Sequence, residues 1–217
     1  MPSKKLGSLV ALAILPAFAQ VPSNPVAPPA SAVLAPRQHA PRKLLGFHPD
    51  RVIDNVTVSE STNWSGYAVT GSGFTNAKGS WTVPSVNCSA TPNTYSSFWV
   101  GIDGWTSSTV EQTGTDSDCS GTTPSYYAWY EFYPKGSYLI SSVPVAPGNK
   151  MSAEVVYSGN EFTATITNVT TGNSFSIKAK VNRAKRSSAE WIAEAPCCTN
   201  GGGILPLADF GTVDFGQ

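Results

Sequence analysis

The residues that could do chemistry in this chain are few. Its two histidines, His39 and His48, both lie in a proline-rich leader near the amino terminus. If that leader is lost, the remaining domain has no imidazole. Ser-His-Asp and Cys-His catalysis are then excluded, because nothing accepts the nucleophile's proton near neutral pH. Most zinc sites are excluded as well, since a histidine-free site needs a cysteine-rich cluster. Carboxylates, amides and hydroxyls remain, and carboxylates serve best as bases in acid. Acids in or beside predicted strands include Asp103, following Trp99-Val100-Gly101-Ile102, then Glu131 in Trp129-Tyr130-Glu131-Phe132, and Glu190 and Glu194 in Ala189-Glu190-Trp191-Ile192-Ala193-Glu194. Asp103 shares a face with Trp99, and Glu190 with Glu194, by the period-two rule. A carboxylate among aromatics is either a paired structural acid or a functional one.

The elements that must position these residues are strands. Short runs rich in Val, Thr, Tyr, Trp and Phe alternate with Gly, Asn, Ser and Pro. They predict strands over 64–70, 77–83, 96–102, 109–113, 126–133, 151–158, 161–168, 174–180, 189–193 and 207–213. Ser158-Gly159-Asn160 and Thr171-Gly172-Asn173 are tight-hairpin signals. Many short strands with regular turns predict an all-β, two-sheet antiparallel sandwich. Trp64, Trp81, Trp99, Trp129, Tyr130, Tyr133 and Trp191 fall inside those strands, where they either fill the core or line a groove for an extended chain.

Composition sets the context. Residues 1–19 read as a signal peptide, with Lys4 and Lys5 ahead of an apolar run and Ala17-Phe18-Ala19 at the cut. Residues 20–54 read as a flexible linker or, given the domain that follows, a pro-segment: prolines, small residues and 4 bases against 2 acids, a composition unable to bury a core. Residues 55–217 carry 8 Lys and Arg against 12 Asp and Glu, and form one domain with a sizeable core. Charged residues are 13% of the chain, under the roughly 25% of ordinary soluble domains. Such an acidic domain is a poor partner for nucleic acid, and no later segment reads as a membrane span. The basic leader suggests electrostatic docking on the acidic domain. Of Cys88, Cys119, Cys197 and Cys198, the first two make the preferred disulfide, leaving an adjacent pair to form a strained bridge or stay reduced.

Five segments carry a family resemblance: Asn63-Trp64-Ser65-Gly66, Phe98 to Gly104, Glu111-Gln112-Thr113-Gly114, Ala128 to Pro134 and Ala189 to Glu194. In this order they resemble the signatures of the glutamic peptidases, or eqolisins. The resemblance implies a lectin-like (concanavalin-type) sandwich, secretion with a signal and pro-segment, and endopeptidase activity in acid. It implies a catalytic pair, Gln112 and Glu194, with Glu190 as competitor for the second place. Trp64, Trp99, Asp103 and Glu131 match positions lining or supporting the cleft. Polypeptides are the implied substrates, for a monomer using no metal and no cofactor. Two departures stand out. The sequence ends within what resembles a late strand, where family members continue, and Cys197-Cys198 points to a bacterial-type branch. Rival readings are a non-catalytic carbohydrate-binding sandwich and a glycoside hydrolase using Glu131 and Glu194.

Overall fold

The structure is a computed structural model that describes residues 33–44, 51–53, 56–197 and 203–216. Residues 1–19, read as the signal peptide, lie outside the described residues, as do His48 and Cys198. Twelve strands follow in order: β1 (Arg51–Ile53), β2 (Val56–Val58), β3 (Trp64–Thr70), β4 (Asn76–Thr82), β5 (Tyr95–Ile102) and β6 (Val110–Ser120), then β7 (Thr123–Tyr133), β8 (Tyr138–Leu139), β9 (Lys150–Ser158), β10 (Glu161–Asn168), β11 (Ser174–Ala179) and β12 (Ser188–Glu194). They form a six-stranded antiparallel sheet, β3-β12-β5-β6-β7-β8, and a four-stranded one, β11-β10-β9-β4, with β1 and β2 as a separate pair. The pro-segment boundary drawn at residue 55 therefore falls between two strands that pair with each other.

Local sequence explains most elements. β9 and β10 join through Gly159 and Asn160, both at positive φ (59° and 66°), the geometry of a type I′ turn. Val155, Ala153 and Met151 face Ala164, Ile166 and the other sheet, while Thr165 and Ser176 sit on the outer surface of the four-stranded sheet. The sandwich core is Trp81, Phe98, Val100, Ile102, Ala128, Met151, Val155, Phe162 and Ile166 with their neighbours. Trp81 is 1% exposed and donates to the Thr115 hydroxyl at 3.0 Å, joining the two sheets. The expected Cys88–Cys119 disulfide is present, with Cα atoms 5.3 Å apart.

The hairpin of β6 and β7 is longer than the sequence predicts. Strands expected at 109–113 and 126–133 extend to eleven residues each, because the turn is made at Gly121, at φ 58°, well beyond residue 113. The strand expected at 207–213 is absent. Residues 203–216 touch the six-stranded sheet through an isolated bridge, Tyr95 to Leu207, and are anchored by rings: Phe210 on Phe98 and Phe215 on Trp81. The apolar spacing that read as a strand marks these anchors, and Gly211 at φ 69° breaks the extended backbone between them.

β5 and β6 are buried along almost their whole length, although β6 reads Gln-Thr-Gly-Thr-Asp-Ser-Asp. A sheet with solvent on one face alternates buried and exposed residues. Here the second face is covered too, by residues 33–44.

Trp81→Ala removes a buried ring and the Thr115 hydrogen bond together. It should lower stability by about 3–5 kcal/mol, read by denaturant unfolding.

Candidate active site

The outer face of the six-stranded sheet carries the polar residues in register. One row runs Glu190, Gly101, Gln112, Glu131; the next runs Ile192, Trp99, Gly114, Trp129; the third runs Trp64, Glu194, Ser97, Asp116, Tyr127. Pairing register alone places Gln112 and Glu194 on one face, with β5 between them. Trp99 fills that gap and donates its indole N–H to Glu194 at 2.8 Å. Two glycines let the ring lie there. A Cβ at Gly114 would stand 2.5 Å from Trp99 Cβ, and one at Gly101 would stand 3.0 Å from its ring edge.

The described leader runs over this face from an isolated bridge of Leu34 with Tyr138 at the β8 edge to Lys43 beside β3. Ala35 donates to the Ser137 carbonyl beyond β7, Gln38 exchanges backbone hydrogen bonds with Cys197, and Lys43 is held by Thr62 and Asn63 beside β3. At the centre the Gln112 side-chain N–H donates to the His39 carbonyl at 2.8 Å and to Glu131 at 3.2 Å. The Gln112 amide oxygen is buried with no hydrogen-bond partner among the described residues. One residue on, the Trp64 indole donates to the Ala40 carbonyl at 3.1 Å. Asn63 reaches Ala40, Pro41 and, at 3.5 Å, the second oxygen of Glu194. Asn63 thus links Ala40, the residue after His39, to Glu194.

The His39 side chain is wholly buried. It stacks on Trp129 with ring centroids 3.5 Å apart and planes 4° from parallel. One ring nitrogen meets Asp116 and the other Glu131, each at 3.2 Å. A neutral imidazole donates from one nitrogen only; an imidazolium donates from both. Burial pushes the ring pKa down, but Asp116 and then Glu131 more than offset this and lift it to about 10. Asp116 also accepts from Ser97 and Tyr127. The single Tyr127 hydroxyl lies 2.8 Å from Asp116 and 2.9 Å from Asp118, and can donate to one of them at a time. Asp118, raised to about 7 by burial and by Asp116, is placed to hold the extra proton. Arg37 sits 3.5 Å from Asp118 and stacks over Tyr95. Glu131 is raised by burial against the lowering effect of His39, and burial lifts Glu194 to about 8.

Of the residues expected here, Gln112, Glu194, Trp64, Trp99 and Glu131 meet in the cleft. Asp103 does not reach it. Its carboxylate accepts from the backbone N–H groups of Lys185, Arg186 and Ser187, tying the loop before β12. Glu190 lies on the same face, in the row of Gln112 and two rows from Glu194, its pKa well above the usual range through burial. Asp116 was missed, though it follows Gln112 by four residues on one strand and so shares its face. His39 was set aside with the leader.

Residues 62–217 match the model of the peptidase A4 family. The chain belongs to that family. It is 34% identical to aspergillopepsin-2 of Aspergillus niger over 187 residues, 74% of this chain and 65% of that protein, so it spans slightly under two thirds of this relative. A crystal structure of scytalido-glutamic peptidase with a transition state analog inhibitor matches with TM-score 0.63 and 32% identity, covering 70% of this chain and 77% of that one. A structure of SCP-B, of the eqolisin family, in complex with the tripeptide Ala-Ile-His matches with TM-score 0.57 and 30% identity, covering 70% and 75%. The peptidase A4 sandwich is thus the fold on which these side chains stand.

The ionisation of His39 gives a sign that can be measured. Its pKa is raised from 6.5 to about 10, so its contribution to leader docking is complete below pH 6.5 and fades as pH climbs through about 10. Glu194, raised from 4.5 to about 8, acts in the same direction, favouring the docked leader while protonated. Imidazole resonances of the full chain should show His39 still protonated at about pH 8, and amide exchange across 35–43 should quicken near pH 10. A ring titrating near 6.5 would contradict this geometry.

Proposed function

We propose that this chain is a secreted acid endopeptidase in which Glu194 and Gln112 share one catalytic water. The observation that carries the reading is a peptide carbonyl, that of His39, accepting from the Gln112 amide while Asn63 joins the next residue, Ala40, to Glu194. Ionised Glu194 takes a proton from water as its oxygen attacks the carbonyl carbon. The Gln112 N–H stabilises the developing oxyanion, and its partnerless amide oxygen can orient the water. Glu194 then gives the proton to the departing amide nitrogen as the C–N bond breaks, leaving a new carboxyl and a new amine. A side-chain amide keeps both functions at any pH. A carboxylate base works in acid, where imidazole would be protonated.

The leader fits the role of a pro-segment. It covers the pair, and by burying Glu194 it holds that carboxyl protonated below about pH 8, the form that cannot act as base. Departure of the leader would expose Glu194 and let its pKa fall toward the usual 4.5. An open groove of about 520 Å³ lies beside Tyr67, Ala193 and residues 210–215. The occupant of the cleft is a polypeptide, which favours peptide over sugar. The Ala-Ile-His bound to SCP-B points the same way.

Gln112→Ala should lower acid hydrolysis of denatured casein by about 100- to 1,000-fold. Glu194→Gln should lower it by about 100- to 10,000-fold. Both variants should keep the wild-type circular dichroism spectrum. Full activity in either one would sink the assignment, as would wild-type protein that cleaves polysaccharide but not casein.

A further inference from the structure

The leader does more than cover the cleft, for it shows which side chain the cleft is built to take. His39 is the residue whose carbonyl meets Gln112, and its ring enters a pocket with three walls. The floor is the Trp129 ring, parallel to the imidazole at 3.5 Å. One edge is Asp116 on β6 and the other is Glu131 on β7, each 3.2 Å from a ring nitrogen. Asp118 and Tyr127 lie behind Asp116, and Glu194 faces the site from β12. The backbone N–H of His39 also donates to Glu131, at 2.9 Å, so one carboxylate reads main chain and side chain together.

This geometry suits a flat cation with donors on opposite edges. A lysine would bring a point charge to one edge, and the longer arginine would overrun the pocket. A phenylalanine could stack on Trp129 but would bury both carboxylates without donors, which is costly. Histidine supplies both donors only when protonated, as it is in acid.

We propose that the pocket formed by Trp129, Asp116 and Glu131 makes this enzyme select histidine on the amino side of the bond it cuts, and that His39–Ala40 is the first such bond. The proposal rests on the peptidase reading and names the substrate that reading leaves open. In the cut, made by a second molecule whose Glu194 is free of its own leader, water adds across the His39–Ala40 peptide, leaving a carboxyl on His39 and a free amine on Ala40. The peptide then carries the same side chain that docked the leader.

The test uses the full chain after incubation in acid. Its substrates are a synthetic peptide of residues 35–42 (Ala-Pro-Arg-Gln-His-Ala-Pro-Arg) and versions with Phe or Gln in place of His. Cleavage between His and Ala is expected, with kcat/KM at least about tenfold above the other two peptides. In Asp116→Asn that preference should collapse to near unity, and mass analysis of the acid-treated wild type should find a product beginning at Ala40. If casein is cut but the three peptides are cut equally, the histidine pocket is wrong and the peptidase reading survives. If neither casein nor any peptide is cut, both fall. Should Asp116→Asn fail to fold, the wild-type peptide series decides alone.

Discussion

A buried imidazolium between two carboxylates holds this arrangement together. The outer face of the six-stranded sheet presents Asp116, Asp118, Glu131, Glu190 and Glu194, all buried. Burying that many acids is expensive unless they are protonated, hydrogen-bonded or paired. All three means are used. Asp118, Glu190 and Glu194 are pushed toward their neutral forms, Asp116 accepts from Ser97 and Tyr127, and His39 brings a positive charge between Asp116 and Glu131. The same contact sets the register of the leader. An extended chain points alternate side chains to opposite faces, so a slip of one residue would lift His39 out of its pocket and remove its carbonyl from Gln112.

The site also depends on what lies between its members. Gln112 and Glu194 stand two strands apart, and Trp99 occupies the interval while donating to Glu194. That indole can lie flat because Gly101 and Gly114 have no side chains to lift it. On the opposite face the same strands present Phe98, Val100 and Ala128 to the sandwich core. Each strand therefore supports a dry core with one set of alternate residues and polar chemistry with the other. Close packing of the first set gives the second its fixed geometry.

The leader is attached differently from the sheet it covers. It pairs with the sheet only through isolated bridges, Leu34 to Tyr138 at the β8 edge and Gln38 to Cys197, and its other holds near the catalytic pair are side-chain contacts. Such a segment can leave without unzipping any of the six strands. Its central hold is charge-dependent, so its docking couples to pH in a way that a purely apolar plug's would not.

Much of this was legible in the sequence, and the misses have physical causes. Period-two alternation and turn chemistry located most strands, since a sandwich repeats a local signal many times. The five motifs named Gln112, Glu194, Trp64, Trp99 and Glu131, which do share one cleft. Asp103, expected to line or support the cleft, turns its carboxylate to the loop of residues 185–187, a direction that motif position does not encode. The strand expected at 207–213 failed because ring anchors and strand alternation have similar spacing. The sequence by itself determined the chemical inventory: no imidazole in the domain, few cations, and carboxylates and amides set among aromatics. Tertiary structure alone decided that His39, more than seventy residues before Gln112, lies against it between two acids. No local pattern encodes that contact, because it is made by a chain crossing a sheet and depends on charges contributed by separate strands.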